Sequence, residues 1–285
     1  GTSLKFGNTF ITLNAKVGEA AAADVGTFIR LQDAFTYIDG EDDLSEVILK
    51  ISGDMPSHGA LTFPKTDVTI KSSSADAQNQ ILFTGSVKLN ANLTLMDIEL
   101  SNGNIKGIAF DLNGKNLILD TDSKVIFNTI KDTTKVTGTD VKTSELNIKD
   151  SGDLTFLGAI KAIGKVDIDE NTIFKGAVAN VVEIDIAADK YAYFRGGAIT
   201  NTLKYGEGSI INLPVNAKGR VTKNITIKDT TTGAITCTGT GKLEVNAVKD
   251  KLVPAVAATS TTPAVPEKIT IETAAGASEK VNPGA

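Results

Sequence analysis

The chain has 285 residues, of which 41% are hydrophobic and 22% are charged, and this composition predicts a folded chain rather than a disordered one. Its formal net charge of −5 at pH 7 argues against nucleic acid or an anionic membrane surface as a partner, since both require a basic surface. The single cysteine excludes an intrachain disulfide, and no apolar run is long enough to span a bilayer.

A helix is predicted near the N-terminus, within residues 27–38. Its apolar side chains recur at helical spacing, at Phe28, Leu31, Ala34 or Phe35, and Ile38. Thr27 is a suitable N-cap and Gly40 a suitable stop, and a core strand follows at residues 46–51. Because the end of a solenoid exposes a cross-section of its core, we predict that residues 1–46 form an N-terminal strand and a capping helix.

Short strands recur through the middle of the chain, about 20 residues apart. Each has an apolar residue, a mostly polar one and another apolar one, which is the period-two pattern of a strand with one buried face. The series lies at residues 68–70, 93–95, 117–119, 146–148, 166–168, 184–186, 203–205, 225–227 and 243–245. Residues 47–250 are therefore predicted to form the successive coils of one solenoid.

A second series of strands inside the same intervals ends in phenylalanine. It supplies six of the eleven phenylalanines, namely Phe83, Phe110, Phe127, Phe156, Phe174 and Phe194. Side chains at one register of successive coils stack, so we predict that these six rings form one internal column. Four of them are followed two residues later by glycine, and we expect these glycines to adopt the backbone angles that the corners need: Gly85, Gly158, Gly176 and Gly196.

These patterns predict an all-β fold, a right-handed parallel β-helix. An antiparallel sandwich or barrel is the alternative, but hairpin partners have no reason to keep one residue type at each register. Residues 251–285 differ from the coils because they contain four of the seven prolines. We interpret them as a Pro/Ala/Thr-rich excursion that ends in a last strand or a linker.

The predicted helix at residues 31–34, the strand at 47–49 and the stacked strands beyond resemble the right-handed β-helices of the pectate-lyase-like superfamily. They are most similar to bacterial surface members in which a short helix precedes the first coil. The resemblance implies a secreted or cell-surface bacterial protein, and we interpret the start at Gly1 as the result of signal-peptide removal. Enzymes of this superfamily cleave polysaccharides with acidic calcium ligands and a base, or with clustered aspartates.

One outward column of the first series contains the candidate metal ligands. Its members are Thr69, Thr94, Ile118, Asn147, Asp167, Asp185, Lys204, Thr226 and Glu244. Asp167 and Asp185 are predicted to lie on neighbouring coils, about 4.8 Å apart along the axis, where two carboxylates can bind Ca²⁺. The alternative is a solvated face on which Lys204 neutralises Asp185 and Lys149 neutralises Asp169.

The candidate binding site lies on the second series, where Phe194 is predicted to point inward. Tyr191, Tyr193 and Arg195 then point outward, with Lys175 beside Arg195 on the neighbouring coil. Two tyrosines and two cations suit stacking on sugar rings and recognition of acidic groups, and the alternative is an ordinary exposed strand. The outward positions of this series are unusually apolar along its length, at Leu82, Ala109, Ile126, Thr155, Ile173 and Tyr193.

We therefore predict a non-catalytic, adhesin-like or carbohydrate-contacting surface domain, a monomer or weak dimer whose partner is a polysaccharide or a host or cell-surface glycan. A polysaccharide lyase or glycoside hydrolase acting in a lateral groove is the alternative, and a structural spacer is the third possibility. Catalytic groups are scarce, because His58 is the single histidine and there are only three arginines. We expect Cys237 to be a small buried side chain, and we predict no cofactor apart from the Ca²⁺ considered above.

Overall fold

The structure is a computed structural model that describes residues 10–74, 78–134, 142–150, 154–216, 221–229, 233–238, 243–249, 268–271 and 280–281. The chain divides into two compact units. Unit one comprises Gly1–Thr134 and Ser144–Ser151, and unit two comprises Lys135–Thr143 and Gly152–Ala285. Within each unit the described residues form mainly parallel strands that stack as the coils of a β-solenoid, which confirms the predicted all-β parallel fold. Nowhere in these ranges does a helix have the length and apolar character needed to cross a membrane.

Unit one contains one helix and fifteen strands among its described residues. They are β1 (Ile11–Val17), β2 (Ala23–Phe28), α1 (Leu31–Gly40), β3 (Leu44–Ile51), β4 (Met55–His58), β5 (Leu61–Thr62), β6 (Val68–Ser72), β7 (Asn79–Phe83), β8 (Val87–Lys88), β9 (Leu93–Met96), β10 (Ile98–Ser101), β11 (Ala109–Asp111), β12 (Leu117–Asp120), β13 (Lys124–Ile126), β14 (Thr129–Lys131) and β15 (Glu145–Ile148). From β3 onward each coil supplies three strands in turn, so the unit has three faces.

The three faces of unit one are parallel ladders with one antiparallel addition. The first face has the order β2-β1-β3-β6-β9-β12-β15, the second β4-β7-β10-β13 and the third β5-β8-β11-β14. Strand β1 is antiparallel to both β2 and β3. On the first face, one inward register is occupied by large apolar residues that are all buried, namely Val47, Val68, Leu93, Leu117 and Leu146. The predicted first series is therefore confirmed in this unit.

The helix α1 begins at Leu31, and the predicted N-cap at Thr27 is wrong. Phe28 belongs to β2, because pairing with β1 satisfies the backbone of this segment before the helix begins. The buried side of α1 consists of Leu31, Ala34, Phe35 and Ile38. The ring of Phe35 packs against that of Phe63, just beyond β5, with 4.7 Å between the ring centroids.

Unit two contains thirteen strands among its described residues. They are β16 (Leu154–Phe156), β17 (Ala159–Lys161), β18 (Lys165–Ile168), β19 (Thr172–Phe174), β20 (Val178–Ile186), β21 (Tyr191–Phe194), β22 (Ala198–Tyr205), β23 (Ile210–Val215), β24 (Ile225–Ile227), β25 (Ile235–Cys237), β26 (Leu243–Lys249), β27 (Lys268–Ile271) and β28 (Lys280–Val281). Strands β20 and β22 are long enough to contribute to two faces each.

Taken in the same chain order, unit two also has three faces. The first consists of β18, β20, β22 and β25, the second of β16, β19, β21, β23, β26 and β27, and the third of β17, β20, β22, β24 and β28. Strands β27 and β28 are antiparallel to β26 and β24, so they do not continue the parallel coils. The predicted Pro/Ala/Thr-rich stretch between β26 and β27 lies outside the described residues.

The last two members of the predicted first series belong to other faces. Leu203 is followed in register by Ile235 of β25, whereas Ile225 follows Ala198 on the third face. Leu243 begins β26 on the second face. All three faces share the same alternation of apolar and polar residues, so the spacing along the sequence could not assign these strands.

All six phenylalanines of the predicted column are buried, but they do not share one face: Phe83, Phe110, Phe127, Phe156, Phe174 and Phe194. Phe110 lies on β11 of the third face, where Val87 and Ile130 are its neighbours in register. The second-face strand of that coil is β10, and the residue that follows it is Asn102, also buried. The assignment of Phe110 to the column is therefore wrong.

The rings of the two units pack differently. In unit two, Phe156, Phe174 and Phe194 stack with centroid distances of 5.4 and 5.1 Å and interplanar angles of 6° and 7°. In unit one, Phe83 and Phe127 lie 5.9 Å apart at 44°, although β10 separates their strands. Identical side chains on adjacent parallel strands give the face-to-face stack.

The glycines that follow these phenylalanines allow backbones of adjacent coils to approach. A Cβ on Gly176 would lie 2.2 Å from the carbonyl oxygen of Gly158, and a Cβ on Gly196 would lie 2.4 Å from that of Gly176. A Cβ on Gly85 would lie 2.1 Å from the backbone nitrogen of Ala60. Gly85, Gly176 and Gly196 do not adopt positive φ, so the prediction that they supply special corner angles is wrong. Glycine is required at these positions because a side chain would collide with the backbone of the adjacent coil.

Polar side chains connect successive coils of unit one at the corner that precedes the first face. A side-chain oxygen of Asp67 accepts the amide of Asn92, that of Asn92 accepts the amide of Asn116, and that of Asn116 accepts the amide of Glu145. The three donor–acceptor distances are 2.9, 2.9 and 3.1 Å. Each coil therefore satisfies a corner amide of the next one.

Candidate functional site

The four predicted binding residues lie together on the second face of unit two, and we call them the tyrosine–cation patch: Tyr191, Tyr193, Lys175 and Arg195. The two tyrosines are half-buried and alternate along β21 with two fully buried residues, so they occupy outward positions. Phe174 and Phe194 end their strands and pair in register. Lys175 and Arg195, which directly follow them, therefore lie on neighbouring coils. The sequence thus predicted the arrangement of this patch correctly.

Arg195 and Tyr193 form the best-defined contact of the patch. The guanidinium carbon of Arg195 lies 5.7 Å from the ring centroid of Tyr193, within the range of a cation–π interaction. Burial raises the pKa of the Tyr193 hydroxyl, and the positive charge of Arg195 partly offsets this rise. The phenol is therefore neutral at physiological pH, and the ring presents an uncharged surface beside a fixed cation.

The strand that carries the tyrosines is fixed to the preceding coil by two polar contacts. The side-chain oxygen of Asn171 accepts the amide of Tyr191 at 3.1 Å. The ammonium of Lys190 pairs with the carboxylate of Glu170 at 3.0 Å. The side chain of Lys175, which follows the neighbouring strand β19, is exposed, whereas that of Arg195 is partly buried.

The outward column through Tyr193 is less apolar than predicted. In unit two its positions are Thr155, Ile173, Tyr193, Asn212 and Asn246. In unit one the corresponding positions are Leu82, Ser101 and Ile126, because Ala109 of the predicted series lies on the third face. Leu82, at the unit-one end of this column, is 38% exposed.

The candidate calcium ligands are neighbours, as predicted, but a lysine lies between them. Asp167 pairs in register with Asp185 on the first face of unit two. The ammonium of Lys165 lies 3.0 Å from a carboxylate oxygen of Asp167 and 3.1 Å from one of Asp185. The two carboxylates therefore share a protein cation at the position that a metal ion would take.

Lys165 is firmly protonated in this arrangement. Burial lowers its pKa, but hydrogen bonds to Asp167 and Asp185 more than offset that effect, and the pKa lies above the ordinary lysine value. An ammonium in this state cannot serve as a general base near neutral pH. In the part of the chain that the structure describes, no group of three or more His, Cys, Asp or Glu residues is arranged to hold a metal ion.

The predicted charge pairing on this column is wrong in one respect. Lys204 neutralises Glu183, at 2.8 Å, rather than Asp185. The column continues from Lys204 to Thr236, so the predicted members Thr226 and Glu244 lie elsewhere. Lys165, which stands two residues before Asp167 on the same outward face, was not predicted, because it belongs to a different outward column from the two aspartates.

Cys237 and His58 are the single cysteine and the single histidine of the chain, and they lie in different units. Cys237 ends β25 and is partly exposed, so the expected burial is wrong. His58 ends β4, half-buried against the ring of Phe83.

A groove on unit one was not predicted. It has a volume of about 400 Å³ and is lined by Glu46, Val47, Ile48, Asp67, Val68, Thr69, Asn92, Thr94 and Ile118. Its two walls are outward columns of the first face, one polar and one of isoleucines and threonines. The carboxylates take part in contacts within the protein, since Glu46 pairs with Lys16 at 2.7 Å and Asp67 accepts two bonds from Asn92. No aromatic residue marks the groove in the sequence.

Comparisons of the chain with protein-family models, with curated proteins and with solved structures each find no match. Any function therefore has to be inferred from the side chains of this chain. Two groups qualify by chemistry, the tyrosine–cation patch and the aspartate pair with Lys165. The patch has an exposed cation and two half-buried aromatic rings at outward positions, whereas the charges of the aspartate pair are satisfied within the protein.

Proposed function

We propose that the protein is a non-catalytic, secreted or cell-surface β-helix that contacts carbohydrate through the tyrosine–cation patch. The observation that carries the proposal is the Arg195–Tyr193 pair beside the exposed ammonium of Lys175. Aromatic rings bind the apolar faces of sugars, and fixed cations bind their acidic groups, so the patch suits a glycan that offers both. The partner in this proposal is a polysaccharide or a host or cell-surface glycan.

Further features of the proposal come from the resemblance to bacterial surface β-helices. The solenoid is right-handed, α1 caps the first coil, and the protein acts outside the cell as a monomer or weak dimer. The contact between Phe35 of α1 and Phe63 supports the capping role, because it covers an apolar side chain near the start of the coils. The non-catalytic character is supported by Lys165, which neutralises both candidate carboxylates and keeps its own proton.

The patch is tested by glycan-array binding of the wild-type protein and of a Tyr193→Ala, Arg195→Ala double variant. We expect the variant to fold, because both side chains lie on an outer face, and to lose at least about tenfold in affinity, as for removal of an aromatic and a charge contact. A matched control is Tyr37→Ala with Arg30→Ala, which removes the same residue types from unit one. Thermal unfolding of both variants confirms that the fold is retained.

Full binding by the patch variant, or an equal loss in the control, would refute the proposal. Binding in the presence of EDTA is expected to equal binding in Ca²⁺, because Lys165 occupies the space between the two aspartates. The alternative function, a polysaccharide lyase or glycoside hydrolase, predicts unsaturated products or new reducing ends on incubation with polysaccharide. Their reproducible release by the wild-type protein would replace our proposal by the enzymatic one.

A further inference from the structure

His58 combines three features at one edge of unit one. It is the single histidine of the chain, and so the one side chain whose ordinary pKa lies between pH 5 and 8. It ends β4, which lies at the end of the second face and pairs, among the described strands, with β7 alone. The pairing is irregular, because Met55 is opposite Ile81 and His58 is opposite Phe83, which leaves one extra residue in β4.

The imidazole of His58 is held in a site made for its neutral form. Its ring centroid lies 5.9 Å from that of Phe83, and Nε2 is shielded from solvent with no hydrogen-bond partner among the described residues. The carbonyl of His58 accepts the amide of Thr84 at 2.7 Å and its hydroxyl at 3.1 Å. The last residue of β4 is therefore tied to the coil that follows, while Nε2 of its half-buried ring is shielded from solvent.

Among the described residues, the strands next to His58 supply no charge that would stabilise a protonated ring. The described side chains of β4, β5 and β7 include no charged residue, and burial is the one cause that lowers the pKa of His58. The nearest acidic group along the chain, Asp54, accepts the amide of Gln80 with its carboxylate. A proton on the buried Nε2 would therefore lack both an acceptor and a counter-charge.

We propose that His58 is an acid-sensitive latch, and that its protonation releases the end of β4 from the neighbouring coil. In the closed state the ring stays neutral against Phe83, whereas in the open state it is hydrated and titrates at its ordinary value of 6.5. The opening equilibrium then rises as the pH falls below this value. From pH 7.5 to pH 5.5 the rise approaches about tenfold. At pH 5.5 the open state contains about ten protonated imidazoles for each neutral one, whereas at pH 7.5 it is mostly neutral.

The test is hydrogen exchange of the Thr84 amide, which reports directly on the bond to His58. We expect this amide, after correction for intrinsic rates, to exchange up to about tenfold faster at pH 5.5 than at pH 7.5. The Asn102 amide, which donates to Ile126 on the same face, is the internal control and is expected to show no such change. In His58→Phe and His58→Gln variants, which cannot be protonated, the pH effect at Thr84 is expected to vanish.

Equal protection of the Thr84 amide at both pH values in the wild-type protein would overturn the latch, and so would an unchanged pH effect in the variants. A second measurement needs no variant. The ring protons of the single imidazole can be titrated by NMR, and a midpoint at or above 6.5 would overturn the proposal, while a midpoint below it supports the closed neutral state. The latch is independent of the tyrosine–cation patch, so either proposal can fail alone.

Discussion

The second faces of the two units fill the same buried register with different side chains. In unit two, three successive coils each supply a phenylalanine, and the rings stack almost parallel about 5 Å apart. In unit one, Asn102 interrupts the column, and Phe127 instead meets Phe110 of the third face edge-on at 5.3 Å. The coil register is thus a property of the backbone, whereas ring stacking requires the same residue on adjacent coils.

Replacing the central ring of the stack is expected to have the largest effect. Phe174→Ala removes a buried ring with a stacked neighbour on each side and is expected to lower the free energy of unfolding by about 5 kcal/mol. Phe83→Ala removes a ring that is equally buried but tilted, and the expected loss is about 3 kcal/mol. Urea unfolding of both variants measures the difference, and equal losses would show that stacking adds nothing to burial.

Two glycines sharpen the comparison, because close contact between coils requires Gly176 whereas a positive φ favours glycine at position 103. Gly176→Ala forces a Cβ against the backbone of the preceding coil and is expected to cost about 3 kcal/mol or more. Gly103→Ala in unit one has free space around the new Cβ and suffers only from its φ of 61°, so we expect about 1 kcal/mol. If the two variants unfold at the same denaturant concentration, contact between coils is not what requires Gly176.

The smallest predicted effect concerns the charges on the first face. Lys165→Met leaves Asp167 and Asp185 without their shared cation, and we expect a loss of about 1–2 kcal/mol at neutral pH. Lys71→Met in unit one, which has no carboxylate partner among the described residues, is expected to change stability by less than about 0.5 kcal/mol. Thermal unfolding at low and high salt distinguishes the two, since only the first difference should shrink with salt.

The pH dependence of the Lys165 contribution follows from the direction of its pKa. The folded-state pKa is raised, so the stabilisation is fully present below the ordinary value of 10.5 and is lost as the pH rises through the higher folded value. Between pH 6 and pH 9 the difference between the wild-type protein and Lys165→Met is therefore expected to stay constant. A difference that disappears within this range would contradict the shared-cation arrangement.

The sequence predicted those features that depend on one strand and its neighbour in register. The alternation around Phe194 placed Tyr193 and Arg195 outward, and its match with Phe174 brought Lys175 beside them. The same alternation could not tell the second face from the third. Phe110 ends a strand that looks like the others, and only the pairing of β11 with β8 and β14 separates it.

The features that the sequence did not predict arise from contacts between columns. Lys165 stands two residues before Asp167, and its ammonium contacts carboxylates on two neighbouring coils, which the pattern of one strand does not show. Thr27 and Phe28 have a helical pattern, but pairing of β2 with β1 outweighs the weak local preference. The groove on unit one likewise depends on the depth between two outward columns, which no residue pattern records.

The antiparallel strand β1 affects how molecules of this protein meet one another. A parallel coil ends in a strand with unpaired backbone groups, to which the strand of another molecule can add. In unit one β1 covers this edge of β3, and its pairing shifts register after Asn14. The outermost of the described strands, β2, carries the largely exposed carboxylate of Asp24, which pairs with Lys50, and is itself paired irregularly with β1. Charge and irregularity on a terminal strand disfavour further addition, so the N-terminal hairpin protects this edge against fibrous aggregation.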